Sequence, residues 1–139
     1  MFGALDISTS ALTAYRTQMD VVAGNIAMKD VTRDENGEAV PFRRRVALFA
    51  AGNPEKGRGA PGVHVAGIVE DPAPFGMRWD PEHPDAIRSG RETGYVRVSN
   101  VDYQTEMVNA MTAARAYEAN VTVIEMSKRM ISTSLQLLA

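Results

Sequence analysis

Two histidines, a run of three arginines and one proline-framed tetrapeptide are the places where this sequence could do chemistry. His64 and His83 are the only imidazoles, and neither has a second ligand-type residue at metal-binding spacing. Both read as surface or loop histidines. His83-Pro84-Asp85-Ala86 invites an acid–base reading, but Pro81 and Pro84 lie within four residues of each other and favour a rigid turn. Arg43, Arg44 and Arg45 carry enough charge to hold a phosphate. On a strand, however, consecutive side chains point to opposite faces, so the run cannot form one surface. Asp34, Glu35 and Glu38 dilute it further. There is no cysteine, hence no thiolate nucleophile, disulfide or cysteine-ligated metal. No P-loop, GxGxxG run or nucleophile elbow occurs. The expectation is a protein that is not an enzyme, with no cofactor and no metal.

The chain has 139 residues and a formal net charge of −2. That length suits one domain. The charge gives no general pull toward nucleic acid or anionic lipid, so no nucleic-acid partner and no membrane insertion are expected. No apolar run approaches the ~20 residues of a membrane span. The opening "MFGALDISTSALTAYR" has no basic n-region, and Asp6 with several hydroxyl side chains interrupts its apolar stretch. It does not read as a cleavable signal. The expectation is a soluble chain made in the cytoplasm, leaving, if it leaves, by a route that needs no such signal.

What must position everything is a pair of helices. All seven prolines lie between Pro41 and Pro84, and every glycine except Gly3 and Gly24 lies between Gly37 and Gly94. The breakers divide the chain into residues 1–29, 30–98 and 99–139. In the first segment Leu5, Leu12, Met19 and Ile26 recur every seven residues, with Ser8, Tyr15 and Val22 between them. This spacing predicts a helix over about 4–28. In the last segment Met107, Ala110, Ala114, Tyr117, Val121, Ile124, Lys128, Ile131, Leu135 and Leu138 keep strict 3–4 alternation. Lys128 can lie along the seam by its stem. Asn100 or Ser99 suits the helix cap, and Asp102 and Glu106 suit the positive end of the dipole. The middle segment reads as short strands and turns. Asn36-Gly37 is a hairpin signal, while FRRRVALF, VHVAGIV (bending at Gly67), GMRW and YVRV are strand candidates. The fold class expected is α+β: two long terminal helices packed as a coiled coil, with a small β-rich insertion.

About 38 helical residues at the C-terminal end span roughly 57 Å. A globule of this size is roughly 35–40 Å across. A self-contained helical hairpin is the plain alternative, since two antiparallel helices could satisfy much of the pattern; the objection to it is unequal length, with roughly 25 residues facing about 38. The seam residues are therefore read as a packing surface for neighbouring copies. Small residues on and beside it (Ala110, Ala113, Ala114, Ala116, Ala119) allow close approach. Asn109, Arg115, Glu118 and Asn120 lie off the main seam and are assigned as polar contacts that fix register.

The two ends resemble those of the bacterial flagellar axial proteins, in particular the rod subfamily. ALTAYRTQMDVVAGNIA is similar to that family's N-terminal signature, with Asn25, Ile26 and Ala27 in place and Met28 where a second asparagine is usual. VHVAGIVEDPAP, WDPEHPDAI and GYVRVSNVDYQTEMVNAMTAARAYEANV follow in the order the proximal rod's subunits show. The resemblance covers nearly the whole chain and weakens over 28–60. It implies a structural, non-enzymatic subunit that stacks helically with itself and other rod subunits into the periplasm-crossing drive shaft. It also implies passage through the flagellar type III export apparatus without a cleaved signal peptide, and a final location in the basal body. Asn25 joins the register contacts on this ground. An adaptor that uses its coiled coil to bind a single partner is the other reading.

Overall fold

The computed structural model describes residues 2–52 and 60–138, with the side chains of Phe2 and Leu138 outside that description. The order of elements is α1 (Phe2–Met28), β1 (Arg45–Ala51), β2 (Val63–Glu70), β3 (Gly76–Trp79), β4 (Tyr95–Val98) and α2 (Tyr103–Leu138). The class is α+β: two helices, with two small antiparallel sheets between them.

Helix α1 holds its own hydroxyl groups. Thr9, Thr13 and Thr17 each donate to the carbonyl four residues earlier, so a Ser/Thr-rich stretch stays helical without exposing unpaired donors. Helix α2 starts on Asp102, whose carboxylate accepts from the Thr105 amide and hydroxyl. Asp102 is thus the cap, and neither Ser99 nor Asn100 is. The Ser99 hydroxyl accepts from the Val101 amide, and Asn100 turns away to bind the segment before β1.

The helices run antiparallel, because Asn25 near the end of α1 meets Glu106 in the first turn of α2. They approach through small side chains: Ser8, Ala11, Ala14 and Ala113 are all buried. Helix α2 has 36 residues and α1 has 27, or about 54 Å against about 40 Å. Counting back from Asn25 to Phe2, and equally far onward from Glu106, reaches about residue 129. Beyond that point α2 projects past its partner. Leu135 is 62% exposed and Leu137 83%.

The strands make two ribbons. In the first, β1 pairs with β2 from Arg45↔Glu70 to Ala51↔Val63, with a register shift between Leu48 and Phe49. The bend expected at Gly67 is this irregularity, since Leu48 pairs with Gly67 and Phe49 with Val65. The ribbon packs on α1, where the Phe49 ring lies 5.5 Å from Tyr15. In the second, β3 pairs with β4 from Gly76↔Val98 to Trp79↔Tyr95. A Cβ on Gly94 (φ 85°) would sit 2.5 Å from the Trp79 ring, so only glycine fits there.

The hairpin expected at Asn36-Gly37 is not formed. Gly37 takes positive φ (81°), but no strand flanks the turn. The Asp34 carboxylate instead accepts the Asn36 and Glu38 amides, closing a side-chain-held loop.

The core is thin. Among the described residues the buried apolar side chains are Ala11, Ala14, Val22, Val96 and Ala113. Within the middle segment Val96 is the only one of these. The chain exposes 9641 Å², whereas a compact chain of this mass would expose roughly 7,100 Å².

Candidate assembly surfaces and the polar junction between them

A network of polar contacts running from Asn25 to Asn109 meets where the helices and the ribbons converge. Glu106 is fully buried. Its Oε1 accepts both Nε (2.9 Å) and Nη2 (2.8 Å) of Arg44, and the Asn109 amide at 3.2 Å. Its Oε2 accepts the Asn25 amide at 2.9 Å. A carboxylate without water needs this many donors to offset its lost hydration. Arg44 uses its remaining Nη1 on Asp71 at 3.0 Å.

The two asparagines grip backbone. Asn25 accepts from the Arg45 amide and donates to the Arg45 carbonyl, copying a strand's pairing with side-chain atoms. Asn100 accepts from the Arg44 amide and donates to the carbonyls of Asp71 and Ala73. Arg43 binds the same two carbonyls and lies 4.3 Å over the Phe75 ring. Arg45 turns toward the Phe42 ring. The three arginines therefore engage three different sets of partners inside the chain; Arg43 and Arg44 precede β1, so it is these contacts and not strand alternation that set their directions.

The histidines are likewise engaged. His64 Nδ1 lies 2.9 Å from the Gly52 carbonyl oxygen, and His83 Nδ1 accepts from the Asp85 amide. Asp85 belongs to a second cluster, taking the Thr32 hydroxyl and the Arg33 guanidinium. A shallow hollow of about 150 Å³ beside it is lined by Thr32, Ala39, Asp85, Ile87 and Arg97. Among the described residues no His, Cys, Asp or Glu group is arranged to hold a metal ion. No helix there is long and apolar enough to cross a membrane.

Three carboxylates titrate below their usual range. The Ala73 amide and then Arg44 hold Asp71 down. Arg33 and then Thr32 hold Asp85 down. The Thr105 hydroxyl and amide hold Asp102 down. A depressed carboxylate stabilises the fold above its unfolded value near 3.9 and loses that contribution as pH falls through the folded value. The thermal midpoint is expected to be flat from neutral pH to about 5 and to fall below about 4. A calorimetric series with a midpoint that rises on acidification would contradict these pairings.

On the helices, the seam residues divide. Val22 is buried, while Leu5, Leu12, Tyr15, Met19 and Ile26 are half-buried. On α2, Ala110, Ala114, Tyr117, Val121, Ile124 and Ile131 are half-buried, whereas Met107 (42%) and Leu135 are exposed. The Leu138 side chain lies outside the described residues. Of the polar register residues, Asn25 and Asn109 bind Glu106, and Asn120 donates to the Ala116 carbonyl. Arg115 and Glu118 are exposed.

Sequence reasoning missed a second apolar face. Val108, Met111, Val123, Met126, Met130 and Leu137 are all exposed. Met111 and Ala113, Val108 and Glu106, and Met126 and Ile124 each differ by two positions, or about 200° around a helix. Helix α2 is thus apolar on opposite sides, and α1 covers one of them. Arg115 and Ala119 lie within the uncovered stripe. The signal was present as 3–4 spacing from 123 to 126 to 130 to 137, masked by the stronger seam.

Comparison with known proteins gives a consistent picture. The family profile described as flagellar basal body rod FlgEFG protein C-terminal matches residues 92–137. The flagellar basal-body rod protein FlgC of Borreliella burgdorferi is 40% identical, over 99% of this chain and 97% of that protein. The FlgC of Bacillus subtilis is 40% identical, over 98% and 97%. That of Escherichia coli O6:H1 is 36% identical, over 99% and 97%.

Proposed function

The chain belongs to the FlgC family of flagellar basal-body rod proteins, and from that premise we propose that it is a structural rod subunit that polymerises helically through its terminal helices. In this reading the helices pack as a coiled coil within and between subunits, and the stacked copies form the periplasm-crossing proximal rod around an export channel. The subunit is made in the cytoplasm and passes the flagellar type III export apparatus without a cleaved signal peptide. Its neighbours are further copies and other rod subunits, and it performs no catalysis.

One observation carries the proposal: α2 is apolar on two opposite faces, and α1 covers only one. The excess of about 2,500 Å² over a compact chain is near three standard half-interfaces of about 800 Å². Tyr117, Val121 and Ile124 would bind α1, while Met111, Val123, Met126 and Met130 would meet a neighbour, with Arg115 and Glu118 fixing register. Interdigitated side chains in such a stack resist twist, because sliding would open voids.

The test is complementation. Expressed in a strain whose own FlgC has been deleted, the chain is expected to restore basal bodies with complete rods and to be found within them. Complete rods that lack the chain would overturn the proposal. A closed complex of fixed, small stoichiometry would instead support the single-partner adaptor.

A further inference from the structure

The β3–β4 ribbon is an unusual object in this fold. It has only four residues in each strand, and neither strand packs along a helix in the way that β1 and β2 pack on α1. A two-stranded hairpin of that length is marginal by itself in water. Yet Val96 is fully buried, and the Trp79 and Tyr95 rings meet edge-on at 5.0 Å. Something outside the ribbon must hold it.

Two polar mounts do so. At the base, Arg43 and Asn100 both bind the carbonyls of Asp71 and Ala73, just before β3. Asn100 follows β4 by two residues and also receives the Arg44 amide. Arg44 in turn is pinned on Glu106 of α2 and on Asp71. On the flank, Asp85 in the loop between β3 and β4 receives Thr32 and Arg33 from the segment after α1. The Asp85 side chain is 5% exposed, so this brace is sheltered. The two mounts draw on both helical ends.

We infer that the β3–β4 ribbon is a fixed arm, mounted at its base through Arg43, Arg44 and Asn100 and braced on its flank by Asp85, so that it moves as one body with the helical pair. The arm presents Trp79 (61% exposed), Met77 and Tyr95 outward. A fixed arm would hold that apolar edge at one angle to the shaft axis. The value of this to a shaft rests on the rod reading, but the rigidity is a property of the isolated subunit.

The chain has no cysteine, so two introduced cysteines can be labelled uniquely. Spin labels at Arg91→Cys, on the arm, and Glu125→Cys, on α2, report the distance between arm and helix by pulsed electron resonance; both sites are exposed. The unaltered mounts are expected to give one narrow distance distribution. Arg43→Ala with Asn100→Ala releases the Asp71 and Ala73 carbonyls at the base and leaves the buried Arg44–Glu106 pair in place to hold the fold. Asp85→Ala cuts the brace. The combined variant is expected to broaden the distribution at least about twofold while far-ultraviolet dichroism keeps its helical signal. A broad distribution before any mount is cut, or an unchanged width in the combined variant, would overturn the fixed arm. Neither result depends on rod assembly, so the arm can fail while the rod reading stands.

Discussion

Met126→Asp together with Met130→Asp is expected to abolish rod assembly while leaving the free subunit folded. The two side chains are 52% and 61% exposed on the face of α2 that α1 does not cover. In the free subunit their replacement removes little packing, so helical dichroism and the melting midpoint should stay near those of the parent. In a stack, covering what remains exposed of each methionine contributes about 1–1.5 kcal/mol. Each new carboxylate adds at least about 1–2 kcal/mol of uncompensated desolvation. Together these approach about 5 kcal/mol per subunit contact, or more than a thousandfold in affinity. Motility in the complemented strain and rods in purified basal bodies are the readouts, with dichroism as the folding control. Ile124→Asp provides the contrast, because it lies half-buried on the face toward α1 and should unfold the helical pair itself. If the double methionine variant swims normally, the uncovered face is not an assembly surface.

The two faces of α2 also show what the sequence makes legible. The existence and direction of both helices follow from long stretches free of proline and nearly free of glycine, where apolar spacing has few rivals. The rotation of each helix does not follow. A heptad row drifts about 20° per repeat on a straight helix. Met107 and Leu135 share a row with Ala114 and Val121 yet end exposed, while Ala113, off that row, is fully buried. Small residues win the centre because they let the backbones come close. The junction was harder still. Glu106 in a first helical turn reads as a dipole partner, and nothing local marks it for burial. Its partners lie 81 residues away at Asn25 and 62 away at Arg44. Such a cluster exists only once the whole chain has folded, so no window of sequence contains it. The loop at Asn36-Gly37 failed as a hairpin for the opposite reason, since one local side chain, Asp34, satisfied the amides that strands would have used.

Arg44→Ala is expected to destabilise the free subunit strongly. Glu106 has no exposed surface, and Arg44 supplies two of its four hydrogen bonds and its only direct ion pair among the described residues. Removing one partner of a buried pair typically costs about 3–5 kcal/mol, because the other charge is left without hydration or counterion. Against a total stability of about 5–15 kcal/mol this is a large fraction. The midpoint should drop by about 10–20 °C in a calorimetric scan at neutral pH. Arg44→Lys should recover only part of it, since one ammonium cannot reproduce a fork that binds Glu106 through two nitrogens and Asp71 through a third. Arg44→Met with Glu106→Leu should recover part of it, because an apolar pair needs neither hydration nor a countercharge, while the Asn25 and Asn109 amides lose Glu106 and the Asp71 carboxylate loses Arg44. The order of midpoints is the discriminating result: parent highest, lysine and the apolar pair between, alanine lowest. If alanine melts with the parent, the Glu106 carboxylate has another source of stabilisation, and the junction does not hold the helices to the strands.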